Sequence, residues 1–488
     1  MSSAVLERSR LARTELFIDG GWRNAQDGAT FSVRNPSTGA LVASVASATR
    51  ADAKAAIAAA EAALPEWRAT TAKARAAILR RWYELVVANA DALAEILTAE
   101  QGKPLAEARG EILYGAAFIE WYAEEGKRVY GETIPTNDPD RRLLVLKQPI
   151  GVCAAITPWN FPMAMIPRKA GPALAAGCTM VLKPASATPL SALALAALAE
   201  EAGLPPGVFN VVPGSARAVG AELAESPIVR KLTFTGSTEV GKALMAQCAG
   251  TVKKLSLELG GNAPLIVFDD ADLDAAVAGA IASKFRNAGQ TCVCANRILV
   301  QAGIHDAFVE RFAAAVSALR VGDGFEAGVE IGPLIDEAAI EKVEGHVADA
   351  VERGARVVAG GGRHPRGGTF FEPTVIAGAT AQMRVAREET FGPLAPVFRF
   401  ETEEEAIAMA NATEYGLAAY YFTRDVGRVF RVGEALDFGV IGLNTGLFSY
   451  EGAPFGGLKE SGVGREGSRM GIEEFVEVKY LCAAGIGS

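Results

Sequence analysis

Histidine is nearly missing from this chain: His305, His346 and His364 are the three in 488 residues. None stands at ligand spacing from another histidine or from a cysteine, which argues against a Cys/His zinc centre, and no metal is expected. Cysteine is scarce as well. Cys153, Cys178, Cys248, Cys292, Cys294 and Cys482 are too sparse for a disulfide framework, and five sit in the apolar or Gly/Ala-rich settings of reduced intracellular thiols. Basic residues are not in excess. With 48 Lys and Arg against 57 Asp and Glu the net charge is −9, which excludes general phosphate neutralisation and hence nucleic acid as a partner.

Long apolar runs are absent too. No window reaches the roughly 18 uninterrupted apolar residues of a membrane span, and the nearest run, Leu190 to Leu198, is stopped by Glu200 and Glu201. The N-terminal stretch MSSAVLERSRLARTELFIDG carries charge where a signal peptide needs an apolar centre. A cytoplasmic protein with no membrane partner is therefore expected. No repeat of about 20 to 50 residues is visible, which excludes a solenoid.

What is present is a large apolar core. Half the residues are hydrophobic, and a chain of this length carries about three domains at roughly 150 residues each. Leu16-Phe17-Ile18 reads as a strand entering a turn. Apolar steps of three and four predict helices over about 51–63, 71–102 and 107–125. From Leu143 strands and helices alternate: strands at 143–146, 152–156, 180–182, 208–212 and 231–234, helices at 167–176 and 190–202. A second series follows Gly260, with strands near 265–268, 297–300 and 439–443. Such alternation implies parallel, open α/β sheets, which bind ligands beyond the carboxyl ends of their strands.

Four segments carry chemistry. Asn287-Ala288-Gly289-Gln290-Thr291-Cys292-Val293-Cys294 holds two thiols one residue apart, which reads as a redox pair, half a metal site, a nucleophile with a neighbour, or two small buried thiols. Leu257-Glu258-Leu259-Gly260-Gly261 puts a carboxylate in an apolar strand end, where burial would raise its pKa towards general-base use. Thr157-Pro158-Trp159-Asn160-Phe161-Pro162 is a rigid loop after a buried strand. Its Asn160 either donates to an oxyanion or satisfies a turn. Lys183 closes another strand before Pro184, as a ribose or phosphate contact or a solvated lysine. Phe234-Thr235-Gly236-Ser237-Thr238-Glu239-Val240-Gly241 sets glycines between a strand and a helix, able to present a helix N-terminus to a phosphate, without being a dinucleotide fingerprint or a P-loop.

Together PWNFP (158–162), KPAS (183–186), FTGSTEVG (234–241), LELGG (257–261), GQTC (289–292), EETFGP (388–393) and PFGGLKESGVGRE (454–466) resemble, in order and over nearly the whole chain, the aldehyde dehydrogenase superfamily. The resemblance implies an α/β fold of two Rossmann-like open-sheet domains and a small β oligomerisation element. A dinucleotide-binding domain would span 1–130 and 149–259, a catalytic domain 260–456, and the oligomerisation element 131–148 with 470–488, assembling a homodimer or homotetramer. It implies Cys292 as nucleophile, the Asn160 side chain with the Cys292 N–H as oxyanion holders, and Glu258 as the base that activates water on the thioester. Relatives that pass the thioester to coenzyme A usually lack that glutamate, so hydrolysis to the acid is implied. Lys183 and Glu389 would hold the cofactor riboses, with Phe391 near the nicotinamide ribose. Ile156, Thr157, Trp159, Ala185, Ser186, Gly214, Phe234, Gly236, Ser237, Val240 and Leu259 would line the dinucleotide cleft.

Within the superfamily the chain resembles the NADP-type succinate-semialdehyde dehydrogenase branch, through the Cys292–Cys294 doublet and the arginines Arg168 and Arg286. That likeness implies that Arg168, Arg286 and Ser449 bind a distal carboxylate, as a bidentate guanidinium pair in a dry pocket would. Tyr450 departs from the branch and leaves glutarate semialdehyde or 2-oxoglutarate semialdehyde as alternatives. Ser186, where NAD-preferring members often carry Glu, implies that NADP is preferred and NAD possible. Cys294 is implied as a redox partner, able to form a disulfide with Cys292. A cofactor-independent thiol esterase is the reading from another class, and absorbance at 340 nm separates the two.

Overall fold

The computed structural model describes residues 9–485; the first eight residues of the expected dinucleotide-binding domain and 486–488 of the expected oligomerisation element lie outside them. An eight-stranded sheet runs in the order Gly21–Arg23, Leu16–Ile18, Phe209–Val211, Thr179–Lys183, Val152–Ile156, Val229–Thr235, Lys254–Glu258, Gly462–Val463. Its five inner strands are parallel and its edges antiparallel. Val152 and Ala154 pack on one side with Ala56, Ile57 and Leu232, whereas Cys153 and Ala155 pack on the other with Leu79, Leu174 and Leu193. Both faces are covered, which is why this strand reads as an unbroken apolar run instead of alternating.

A seven-stranded sheet follows, ordered Arg356–Ala359, Thr374–Ala377, Leu394–Phe400, Ala295–Gln301, Ala263–Val267, Ala418–Phe422, Val440–Leu443. It forms its own apolar core with Phe308, Phe312, Ile340 and Val343 of the helices laid over it. A separate three-stranded sheet joins Glu132–Ile134, Arg141–Pro149 and Val476–Ala484, with nine register pairs between the last two. No described helix is long and apolar enough to cross a membrane.

Two helical expectations are corrected. The stretch 71–102 is not one helix but two, Ala72–Ala88 and Ala90–Gln101, broken at Asn89, whose side chain donates to Leu85 O at 2.7 Å. The first long helix does not stop near 63 but spans Arg50–Ala69, running through Pro65. Pro65 lies on the exposed side, where the carbonyl it leaves without a donor faces solvent, while Trp67 beyond it is buried. The helix begins on a capping box of Thr49 and Asp52.

Candidate active site

Adjacent parallel strands bring the chemistry-bearing residues to one level. Ile156 pairs with Lys183 on one side and Phe234 on the other, and Thr235 pairs with Glu258. Each strand therefore ends in its motif at the same carboxyl edge of the sheet. Facing this edge are Cys292 just before the strand Ala295–Gln301, and Glu389 and Phe391 just before Leu394–Phe400. Between them lies a cleft of about 600 Å³.

Its walls include Ile156, Thr157, Trp159, Asn160, Arg168, Phe234, Gly236, Ser237, Val240, Glu258, Leu259, Arg286, Cys292, Glu389, Phe391 and Ser449. Lys183, Ala185, Ser186 and Gly214 stand outside that wall. The Ser186 hydroxyl reaches Gly214 O at 3.4 Å, which ties the two segments together. Cys294 is buried away from the cleft, its Sγ against Gly289 O at 3.2 Å and Lys284 Nζ at 3.8 Å. The structure thus does not bring the Cys294 thiol into the cleft beside Cys292, and a bond between the two needs this loop to rearrange.

Burial sets the ionisation of the reacting groups. It pushes the Cys292 thiol up to about 12, with Glu389 and Glu258 adding to the rise and Arg168 opposing it. Burial also holds Glu258 well above the ordinary carboxylate range, reinforced by the like charge of Glu466. Glu258 Oε2 is buried without a partner, so it is free to meet a water. Asn160 is buried and gives one amide N–H to Gln290 O at 2.9 Å, which leaves the other for a ligand. The backbone before Cys292 is strained: Asn287 and Ala288 have φ of 51° and 55°, and Phe391 across the cleft has 55°. Such conformations persist at sites where the surroundings over-determine them.

A dinucleotide suits the cleft and the adjoining carboxyl edge of the eight-stranded sheet. Lys183 is 5% exposed, its ammonium has Pro184 O as sole hydrogen-bond partner among the described residues, and burial lowers its pKa to about 8. Glu389, raised to about 7 by burial, takes Gly261 N on Oε1 at 3.0 Å and keeps Oε2 for a hydroxyl. Ser237 caps the helix Thr238–Cys248, whose first turn opens on the cleft with Val240 47% exposed. Trp159 and Phe391 meet edge to face at 5.6 Å.

The expected carboxylate pocket needs correction at Arg168. Its Nε is committed to Glu466 Oε2 at 2.7 Å and its Nη1 to Tyr114 at 3.2 Å, so only Nη2, buried and unpaired, is open. A fully buried guanidinium requires a counter-charge, and Glu466 supplies it. Lys169 Nζ bonds the same carboxylate, and the two cations hold Glu466 below the ordinary range against its burial. Arg286 differs: half-buried over the Phe161 ring at 4.9 Å, it has no carboxylate partner among the described residues. Tyr450, the doubtful residue, is 60% exposed and does not line the cleft, whereas its neighbour Ser449 does. Sequence reasoning missed Glu466 and Tyr114 as wall residues. Glu466 lies 298 positions from Arg168, and no local spacing announces that pair.

Two mostly parallel open sheets face each other across a nucleotide-sized cleft lined by a thiol and a carboxylate, the architecture of a dehydrogenase. The chain belongs to the aldehyde dehydrogenase family, whose sequence profile matches residues 22–481. It is 63% identical over 481 residues to a glutarate-semialdehyde dehydrogenase of Pseudomonas aeruginosa, covering 99% of this chain and 100% of that one. It is 64% identical over 477 residues to the NADP(+) succinate-semialdehyde dehydrogenase of Escherichia coli, covering 98% and 99%. A crystal structure of an E. coli NADP-dependent enzyme superposes with a TM-score of 0.97 at 64% identity, over 97% of this chain and 98% of that one.

Proposed function

We propose that this enzyme oxidises a short aldehyde with an anionic group at its far end, succinate semialdehyde foremost, using NADP(+) in preference to NAD(+). The observation that carries the reading is Arg286: a cation in the cleft wall, over an aromatic ring, with no carboxylate among the described residues paired to it. Arg168 adds its unpaired Nη2, and Ser449 a hydroxyl. Glutarate semialdehyde is the second reading, because a full-length relative of that name is as similar as the succinate-semialdehyde one, and Tyr450 does not shorten the cleft.

Cys292 Sγ gives up its proton to solvent water and forms a bond to the aldehyde carbon as the C=O pair moves onto oxygen, and the remaining Asn160 N–H with the Cys292 N–H receives that charged oxygen. A nicotinamide dinucleotide held by Lys183, Glu389 and Phe391 would supply the hydride acceptor, and loss of hydride from the adduct leaves a thioester on Cys292. Glu258 then takes a proton from water, the hydroxyl adds to the thioester carbon, and the acid leaves as the Cys292 thiol reforms. Lys183 and Glu389 hold the riboses. Ser186 places no negative charge where a 2′-phosphate would sit, and Lys183 is near enough in sequence to pair with one. The eight-stranded sheet would be the dinucleotide-binding domain and the seven-stranded one the catalytic domain. The three-stranded sheet would join subunits of a cytoplasmic homodimer or homotetramer.

The test compares kcat/KM for succinate semialdehyde, glutarate semialdehyde and butyraldehyde with each nucleotide. Arg286→Ala should lower kcat/KM for the charged substrates about ten- to a hundredfold, the worth of a hydrogen bond to a charged group, and leave butyraldehyde unchanged. Equal losses on all three aldehydes would remove the carboxylate reading, and a strong NAD(+) preference would remove the NADP reading.

A further inference from the structure

The oxyanion donors lie on two separate segments, the 157–161 loop and the turn before Cys292, and a third element holds both. Lys103 sits between the helices Ala90–Gln101 and Leu105–Glu125, 1% exposed. Its ammonium donates to Glu111 Oε2 at 2.6 Å and to Asn160 O at 2.7 Å, and lies 3.9 Å from the centre of the Phe161 ring. Glu111 Oε1 accepts Met163 N at 2.9 Å and Ala164 N at 3.1 Å. One ion pair therefore grips the backbone of Asn160, Met163 and Ala164.

The second segment is tied to the same point. Asn287 Nδ2 donates to Asn160 O at 3.1 Å, and Asn287 Oδ1 accepts Gln101 Nε2 at 3.0 Å. Gln101 Oε1 in turn accepts the Lys103 N–H at 3.0 Å. The left-handed turn at Asn287 and Ala288 and the Asn160 loop thus share one anchor, the buried polar knot at Gln101 and Lys103.

We propose that Lys103 and Glu111 are positioning residues for the oxyanion site: the pair fixes Asn160 relative to Cys292 without touching substrate. A fully buried ion pair is a weak source of stability, since apolar replacements are often neutral or better, whereas its bonds are directional. Displacements of about 1 Å at a reacting centre cost about a hundredfold. The inference rests on the reading of Asn160 as an oxyanion donor.

The experiment is a double-mutant cycle on the full-length enzyme with succinate semialdehyde and NADP(+), with folding checked by near-ultraviolet circular dichroism. Lys103→Met is expected to lower kcat about tenfold or more while moving the nucleotide KM less than about threefold. In an Asn160→Ala background the same change should cost no more than about twofold, because the group it positions is gone. Equal losses in both backgrounds, or a raised nucleotide KM at unchanged kcat, would overturn the proposal. Glu111→Gln, which keeps an acceptor for the two backbone N–H groups, runs through the same cycle if Lys103→Met does not fold. Failure of both to fold would show that the pair serves the fold, and would overturn it too. Wild-type turnover in Asn160→Ala alone would instead remove the oxyanion reading beneath it.

Discussion

Burial raises both Cys292 and Glu258, the thiol up to about 12 and the carboxyl well above its ordinary range. A thiol raised that far is protonated at pH 7, so iodoacetamide should alkylate the nucleotide-free enzyme slowly at pH 7 and progressively faster up to about pH 10. Fast alkylation at pH 7 that is independent of pH would contradict this ionisation. For Glu258 the sign runs the same way. A raised carboxyl is a base only above its own pKa, so turnover should climb with pH through and beyond the ordinary carboxylate range. Glu258→Gln should abolish that limb and lower steady-state turnover about a hundredfold or more, while a single-turnover burst of reduced nucleotide persists. Loss of the burst as well would place Glu258 before hydride transfer.

At the scale of elements, the local sequence carried much of the architecture. The strand Val152–Ile156 and the helix Pro167–Ala176 have the bounds that the pattern predicts, because glycine or proline punctuates both and all but the cleft-lining Ile156 is buried. Less legible was anything decided by distant partners. The apolar rhythm crosses Asn89 without a break, so the two helices there read as one. Arg168 reads as an open cation because the residue that neutralises it comes from the far end of the chain. That Cys292, Glu258 and the 157–161 loop line one cleft was legible because each follows or precedes a strand with its own turn residues. The place of Arg286 in the cleft wall was legible because it stands six residues before Cys292. Gly102 shows how tightly one element end is specified. It closes the helix Ala90–Gln101 at φ +91°, and a Cβ there would meet Pro333 Cγ at 2.6 Å and Pro36 Cγ at 2.7 Å. Gly102→Ala should therefore cost about 2 kcal/mol or more in chemical denaturation. An unchanged denaturation midpoint would refute the conflict.

Taken whole, the molecule leaves one sheet unfinished. The strand Val476–Ala484 turns Val478 and Tyr480, 65% and 58% exposed, to solvent from the same side. Apolar side chains on an exposed ribbon are an association surface unless covered. The enzyme should sediment as a dimer or tetramer, and Val478→Glu with Tyr480→Glu should shift it towards monomer. A double variant that sediments as the parent does would move the subunit contact elsewhere.

The segment leading into that strand also finishes the cleft. Gly462 pairs with Glu258 along the sheet edge, and Glu466 neutralises Arg168 and Lys169. During synthesis, Cys292 therefore leaves the ribosome well before its surroundings exist. A nascent chain stopped short of residue 462 has its nucleophile but neither the strand that covers the base nor the anion that balances the two buried cations. Turnover can begin only once the final portion has been translated and threaded back across the first sheet, so prematurely terminated products should be inert.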